Sequence, residues 1–267
     1  MPRIYLNGVN LYYEVSGAGP SVMLCHGYTG SHRSWMSQIS ALSPKYQTVA
    51  IDHRGHGDSG APSSAEDYSV PILVNDVRAL LNHLGITRCC LVGHSLGGFM
   101  AIQLVLDYPD IISSLILVDT SSGPSYVPGM KELGEKLNEI ARRDGMAAAF
   151  EYNTQQNPLV QRRFEKYPAL REVARHRMLE TSVDAYVYLR KAMAEREDLT
   201  PRLGEISVPT LVIVGELDTP YHQPSEVMTE SIHFSRLQVV PQAFHNPHEE
   251  TPEVLNELLL NFLAELY

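Results

Sequence analysis

The chain is short of several things. It has only three cysteines in 267 residues, Cys25, Cys89 and Cys90. An odd number builds no disulfide framework, and all three lie in apolar runs, so they read as core thiols of a reducing compartment. Basic residues are outnumbered: 21 Lys and Arg against 31 Asp and Glu leave a formal net charge of -10. That balance opposes the counterion release that drives nucleic-acid binding, and anionic lipid repels it. Neither nucleic acid nor a membrane is an expected partner. No stretch approaches eighteen uninterrupted apolar residues, and the opening MPRIYLNGVNLYYEV has no basic segment leading into an apolar one. Nothing marks the chain for export or insertion, and a cytoplasmic location is expected. Repeats and low-complexity tracts are missing as well. What remains is 44% hydrophobic residues, enough for the core of one large α/β domain carrying an insertion.

The opening has two short β runs, RIYL and LYYEV, joined by Asn7-Gly8, the signature of a hairpin turn. Then the rhythm changes. SVMLC leads into HGYTG, TVAI into DHRGHGDSG, and CCLV into GHSLGG. Apolar runs that end in glycine-rich turns and continue as helices predict βαβ alternation and a mostly parallel, doubly wound sheet. Further strands are expected at Ser114 to Val118, Thr210 to Val214 and Leu237 to Val240. The last helix is expected to start at Thr251 and Pro252, with Val254, Leu255, Leu258, Leu259, Phe262, Leu263 and Leu266 on its buried face. Between Asp119 and Pro209 the strand rhythm stops, and helical spacing takes over. This predicts a core of residues 1–123 and 204–267 with a helical cap at 124–203, set over the carboxyl edge where open α/β sheets bind ligands.

The chemistry gathers at LVGHSLGGF. Gly93, Ser95 and Gly97 form G-x-S-x-G, a pattern that chance often produces. Here a β run ends immediately before it and a helix follows, which is the strand-turn-helix setting that presents a serine at a helix N-terminus. A serine hydroxyl attacks poorly until a base removes its proton. The stretch AFHNPHEETP, residues Ala243 to Pro252, offers His245 and His248.

Taken together, HGYTG at His26 to Gly30, DHRGHGDS at Asp52 to Ser59 and VGHSLGG around Ser95 resemble the α/β-hydrolase superfamily along nearly the whole chain. The resemblance implies an α/β-hydrolase fold and a Ser, Asp, His order of catalytic groups. Asp218, just beyond a late strand, and His245, in the last loop, fit that order. In this family the base is followed, after four intervening residues, by a Glu and then by a Pro opening the last helix. His245, Glu250 and Pro252 fit, whereas His248 does not, so His248 and Glu249 are expected to face solvent. The resemblance also implies an oxyanion hole from the backbone N–H groups of Tyr28 and Leu96, and needs neither cofactor nor metal.

Alternatives stand beside these. Asp119 also ends a strand, where some members place the acid; Asp218 is preferred, with Asp119 as a structural acid bonding the start of the cap. His26 and His94 sit inside backbone-shaping motifs and read as structural. His53, Arg54, His56 and Asp58 read as a loop held by internal hydrogen bonds rather than a metal site. Phe99 and Tyr126 are candidates for the substrate pocket. A serine in place of aspartate disfavours haloalkane dehalogenase and epoxide hydrolase chemistry. The expected function is hydrolysis of small to medium, largely apolar carboxylic esters or lactones by a monomer or homodimer. Carbon-carbon bond hydrolysis, a menaquinone-pathway-like synthase or lyase, and a non-turnover receptor or scaffold stay open.

Overall fold

Consecutive apolar residues become strands covered on both faces. The structure, a computed structural model, describes residues 2–124 and 129–267. The chain begins with β1 (Arg3–Leu6) and β2 (Val9–Ser16), then β3 (Ser21–Cys25), α1 (Met36–Leu42), β4 (Gln47–Ile51) and α2 (Val70–His83). It continues through β5 (Cys89–His94), α3 (Leu96–Asp107) and β6 (Ile112–Val118). Among the described residues five α-helices follow before the next strand: α4 (Met130–Asp144), α5 (Met146–Gln156), α6 (Pro158–Lys166), α7 (Leu170–Leu179) and α8 (Val183–Ala194). The chain closes with β7 (Thr210–Gly215), α9 (Thr219–Ser231), β8 (Ser235–Val240), α10 (Pro247–Glu250) and α11 (Pro252–Ala264).

The eight strands form one sheet in the order β1-β2-β4-β3-β5-β6-β7-β8. β1 and β2 are the expected hairpin, with Asn7 and Gly8 at φ 48° and 81°, as a tight hairpin turn demands. β2 also pairs antiparallel with β4, and from β4 through β8 every pairing is parallel. Successive residues alternate between faces. Met23 and Cys25 join the core under α2 and α3, while Val22 and Leu24 join the one under α1 and α11. Both faces are buried, which is why the strand sequences read as unbroken apolar runs.

The three cysteines lie in these strands and are buried. Burial pushes the Cys25 and Cys90 thiols up to about 12 and Cys89 higher still, which suits inert core groups. The last helix begins where expected, but Val254 is exposed, and Thr251 makes no side-chain cap bond to it. Instead the Thr251 hydroxyl faces back to the Pro247 carbonyl at 3.5 Å, because α10 ends there and bends the chain.

The helices between β6 and β7 have a core of their own, built on Leu137, Ile140, Ala149, Phe150, Met178 and Tyr186. α8 ties them to the sheet: Ala185 and Leu189 belong to the main core, and the Ser182 N–H donates to the Gly55 carbonyl at 2.8 Å. Gly55 is at φ 76°, and a Cβ there would lie 2.2 Å from that of Ala185. Only glycine permits this approach.

Candidate active site

Ser95 occupies the turn from β5 to α3 with φ 51° and ψ -114°, a conformation that costs a non-glycine residue about 1–3 kcal/mol and persists only where its surroundings enforce it. The glycines provide the enforcement. A Cβ on Gly93 would lie 2.3 Å from the Gly97 carbonyl oxygen, and one on Gly97 would lie 2.3 Å from that of Cys25. The Ser95 N–H is held by the Val118 carbonyl at 3.0 Å, so the turn is locked onto the end of β6.

Asp218 and His245 are brought together by stitched loops. The Glu216 N–H donates to Val240 and the Leu217 N–H to Ala243, at 2.9 and 2.7 Å. Gly215 allows the crossing, since a Cβ there would lie 2.1 Å from the Phe244 carbonyl oxygen. The result is a chain of contacts: His245 Nδ1 lies 2.7 Å from Asp218 Oδ2, and His245 Nε2 lies 3.0 Å from Ser95 Oγ. With Nδ1–H donated to the carboxylate, Nε2 is free to accept the serine proton. Asp218 is buried, whereas the His245 side chain is 31% exposed and opens onto a cavity.

Around this core the other histidines act as braces. His94 Nε2–H donates to the His245 carbonyl at 2.6 Å. Burial holds His94 well below the usual histidine range, with His245 adding to the effect, so the brace is a neutral ring. His26 donates from Nδ1 to the Gly27 carbonyl and accepts the His53 N–H on Nε2, at 2.7 and 3.0 Å. His56 accepts the Thr29 N–H at 3.3 Å. Arg54 makes a buried two-point pair with Asp76 at 2.7 and 2.8 Å. The histidine contacts tie the loops after β3 and β4 to each other, and the Arg54 pair ties the second loop to α2. His32, Asp52 and Asp58 also gather potential ligand atoms within 4.8 Å. Both Asp52 oxygens already accept N–H groups, from His32 and Asp58.

Gly27 brings the loop after β3 against the serine: a Cβ there would meet His94 Nδ1 at 2.6 Å and Ser95 Cβ at 3.1 Å. The next residue is Tyr28. Among the described residues, neither its backbone N–H nor that of Leu96 donates to a protein acceptor. Both lie next to Ser95, in a place suited to a developing oxyanion.

Asp119 departs from expectation. It bonds not the inserted helices but the Gly215 N–H, at 2.8 Å through Oδ1, because its φ of 44° turns the side chain back into the sheet edge. Ligand atoms of Asp119, Asp218 and His245 lie within 4.8 Å of one another. Burial, then the Asp218 charge, push the Asp119 carboxyl well above the usual range, which disfavours its charged form.

Two further expectations fail in the last loop. His248 is buried, its ring 4.5 Å from that of His94 and 4.9 Å from that of Trp35. The one-turn helix α10 rolls it inward. Glu249 is covered by the inserted helices: it pairs with Arg177 and, at 3.1 Å, with Arg163. Glu250 accepts from Arg163 Nε at 2.5 Å and closes the loop by accepting the Phe244 N–H at 2.6 Å.

A cavity of about 380 Å³ opens on Ser95 and His245. Tyr28, Phe150, Tyr186 and Tyr221 give it apolar walls, and the Tyr221 ring lies 4.7 Å from that of His245. It is less apolar than expected, since Arg163, Arg177 and Arg190 also line it. Phe99 is not in it. That ring is buried, covered by the Arg196 guanidinium at 4.6 Å, and borders a separate cavity with Tyr68 and Tyr188. Tyr126 lies outside the described residues. The arginines and Tyr221 carry no sequence signal, because helical spacing does not say which face looks down on the sheet. Among the described residues, no helix is long and apolar enough to cross a membrane.

A mostly parallel eight-stranded sheet with a strained serine at the β5–α3 turn defines the alpha/beta hydrolase fold. The family of that description matches residues 20–252, and the chain belongs to it. Among its relatives, a Bacillus subtilis (strain 168) protein named as a candidate 2-succinyl-6-hydroxy-2,4-cyclohexadiene-1-carboxylate synthase is 29% identical, covering 95% of both chains. Epoxide hydrolase 3 of Xenopus tropicalis is 28% identical over 98% of this chain and 77% of its own. Among solved structures, a thermophilic esterase from Thermogutta terrifontis superposes with a TM-score of 0.89 at 29% identity, covering 100% of this chain and 99% of its own.

Proposed function

We propose that this hydrolase is a serine enzyme cleaving carboxylic esters or lactones of small to medium size through an acyl-enzyme. The observation that carries the reading is the unbroken Ser95–His245–Asp218 contact chain at 3.0 and 2.7 Å. His245 Nε2 takes the Ser95 proton as Oγ attacks the ester carbonyl carbon, and the carbonyl oxygen becomes an oxyanion facing the Leu96 and Tyr28 N–H groups. Each such donor is worth on the order of 3 kcal/mol, about a hundredfold in rate. The imidazolium then gives that proton to the departing alkoxide. A water repeats the sequence on the acyl-enzyme: His245 removes one of its protons, the acid is released, and Ser95 regains its hydrogen. Asp218 fixes the ring's tautomer and stabilises the imidazolium throughout. The helices between β6 and β7 serve as a cap that walls the cavity and sets its size.

An epoxide hydrolase relative does not redirect this reading, because that chemistry relies on a carboxylate nucleophile and Ser95 occupies the turn here. A synthase or lyase on the same three residues is the second reading, favoured by the arginines of the cavity. Incubation with p-nitrophenyl esters of graded chain length tests the proposal. Multiple turnovers that vanish in Ser95→Ala support it; a single stoichiometric burst, or no release at all, overturns it in favour of a receptor or a different bond.

A further inference from the structure

The cavity over Ser95 has an unbalanced charge. Arg163, Arg177 and Arg190 line it, and no aspartate or glutamate does among the described residues. Two of the three cations are answered from behind the wall: Arg163 pairs with Glu249 and Glu250, and Arg177 with Glu249. Arg190 on α8 is different. Among the described residues no carboxylate reaches ion-pair distance of it, and its Nε donates only to the neutral Asn138 Oδ1, at 3.0 Å. Its guanidinium lies over the rings of Tyr186 and Tyr28, with 4.8 and 5.2 Å to their centroids. Those rings stack on each other, and the Tyr28 hydroxyl donates to the Tyr186 carbonyl.

The seat is built for this side chain. α4 carries Gly134 in its interior, where glycine weakens a helix relative to alanine. A Cβ there would stand 3.2 Å from Arg190 Cδ and 3.3 Å from its Nη1. A mostly buried cation with no counter-charge is costly unless something supplies one, and ring faces compensate only in part. The fork is anchored through Nε on Asn138 and hydrogen-bonds the Tyr28 and Tyr186 side chains, and its remaining N–H groups can be offered to a carboxylate.

We propose that Arg190 is the specificity-determining residue of an anion subsite, and that the substrate carries a carboxylate remote from the bond that Ser95 attacks. The inference rests on the ester or lactone hydrolase reading and narrows it to substrates that carry a carboxylate. Because the anchored fork leans on Tyr28, whose own backbone N–H faces the oxyanion position, the carboxylate and the scissile carbonyl are registered through one residue.

Two matched ester pairs test this on the whole chain. Mono-p-nitrophenyl adipate against its methyl ester places the charge on the acyl side; p-butyryloxybenzoate against its methyl ester places it on the alcohol side. The wild type is expected to prefer one of the two acids by about tenfold to a hundredfold in kcat/KM, at pH 7.5. Arg190→Met abolishes that preference, raising KM for the acid at least tenfold more than for its neutral ester, and Arg190→Lys retains part of it. Free adipate protects the wild type competitively, which needs no variant. The subsite is overturned if the neutral member of both pairs reacts as fast as the acid, or if Arg190→Met slows acid and neutral esters alike, as a merely structural prop would. If neither pair turns over and a fluorophosphonate fails to label Ser95, the hydrolase reading has failed first.

Discussion

The site has two walls, and they are made differently. The sheet side consists of Ser95, Asp218 and His245, each fixed by a strand end and by close backbone approaches that only glycine permits at Gly93, Gly97 and Gly215. The helical side consists of arginines and tyrosines on α6, α7 and α8, held by ion pairs and ring contacts. Backbone-built geometry tolerates no substitution at its hinges, which suits it to hold the proposed chemistry. Side-chain-built geometry can be rewritten one residue at a time, which suits it to the proposed choice of substrate.

The largest effects should come from the sheet side. Ser95→Ala is expected to lower kcat by about a millionfold while the thermal unfolding midpoint stays within a few degrees. More than one per cent residual activity would remove the serine from the mechanism. The two adjacent acids come next. Asp218→Asn loses the charge that stabilises the imidazolium and should cost about ten-thousandfold in kcat. Burial and the Asp218 charge disfavour the charged form of Asp119, so Asp119→Asn should disturb the site little and cost less than tenfold. Equal losses in the two variants would mean that the pair shares the role.

The same contrast explains what could be read from the residues alone. The hairpin at Asn7-Gly8, the parallel strands and the turn around Ser95 each depend on local residue types, and local residue types are what a sequence displays. The spatial partners of Ser95 needed a family resemblance, since 150 residues separate it from His245. Phe99 misled because proximity to Ser95 in the chain is not proximity in space: α3 turns that ring away, under Arg196. His248 and Glu249 misled for the opposite reason. Glu249 is covered by α6 and α7, while α10 rolls His248 inward onto His94 and Trp35, and no residue within AFHNPHEETP reports either. Arg190 was silent because its meaning lies in what it lacks, a carboxylate, which only a folded cavity reveals.

Acid should separate the walls further. Burial lowers His53 to about 3 and His56 to about 4, and holds His26, His94 and His248 well below the ordinary range. An unfolded chain takes up these protons near pH ~6.5, whereas the folded one resists until far lower. The stability these rings contribute is therefore complete above pH ~6.5 and is lost as pH falls from there toward 4. Each ring removes about 1.4 kcal/mol per pH unit within that window. Protonation would also convert His26 Nε2 and His56 Nε2, which accept the His53 and Thr29 N–H groups, into donors. Urea unfolding at pH 7.5, 6.0 and 5.0 should show a flat free energy above pH 7 and a fall of several kcal/mol by pH 5. A flat profile down to pH 4 would mean that these rings are already charged or exposed.

The ion pairs of the helical side permit a comparison within that side. Arg163 and Glu250 are enclosed, with side chains 9% and 0% exposed, whereas Arg171 and Glu151 are 38% and 40% exposed. Removing one member of an enclosed pair leaves the other charge stranded, at about 3–5 kcal/mol, while an exposed pair is worth less than about 1 kcal/mol. Glu250→Gln should therefore lower unfolding stability by about 3 kcal/mol. It should also slow turnover, since the Glu250 carboxylate holds the Phe244 N–H one residue before His245. Glu151→Gln should change stability by less than about 1 kcal/mol and leave kcat alone. If the two variants proved equal in stability, the helices between β6 and β7 would not be clamped to the histidine loop by Arg163, and the division between a backbone-fixed wall and a side-chain-fixed wall would lose its energetic basis.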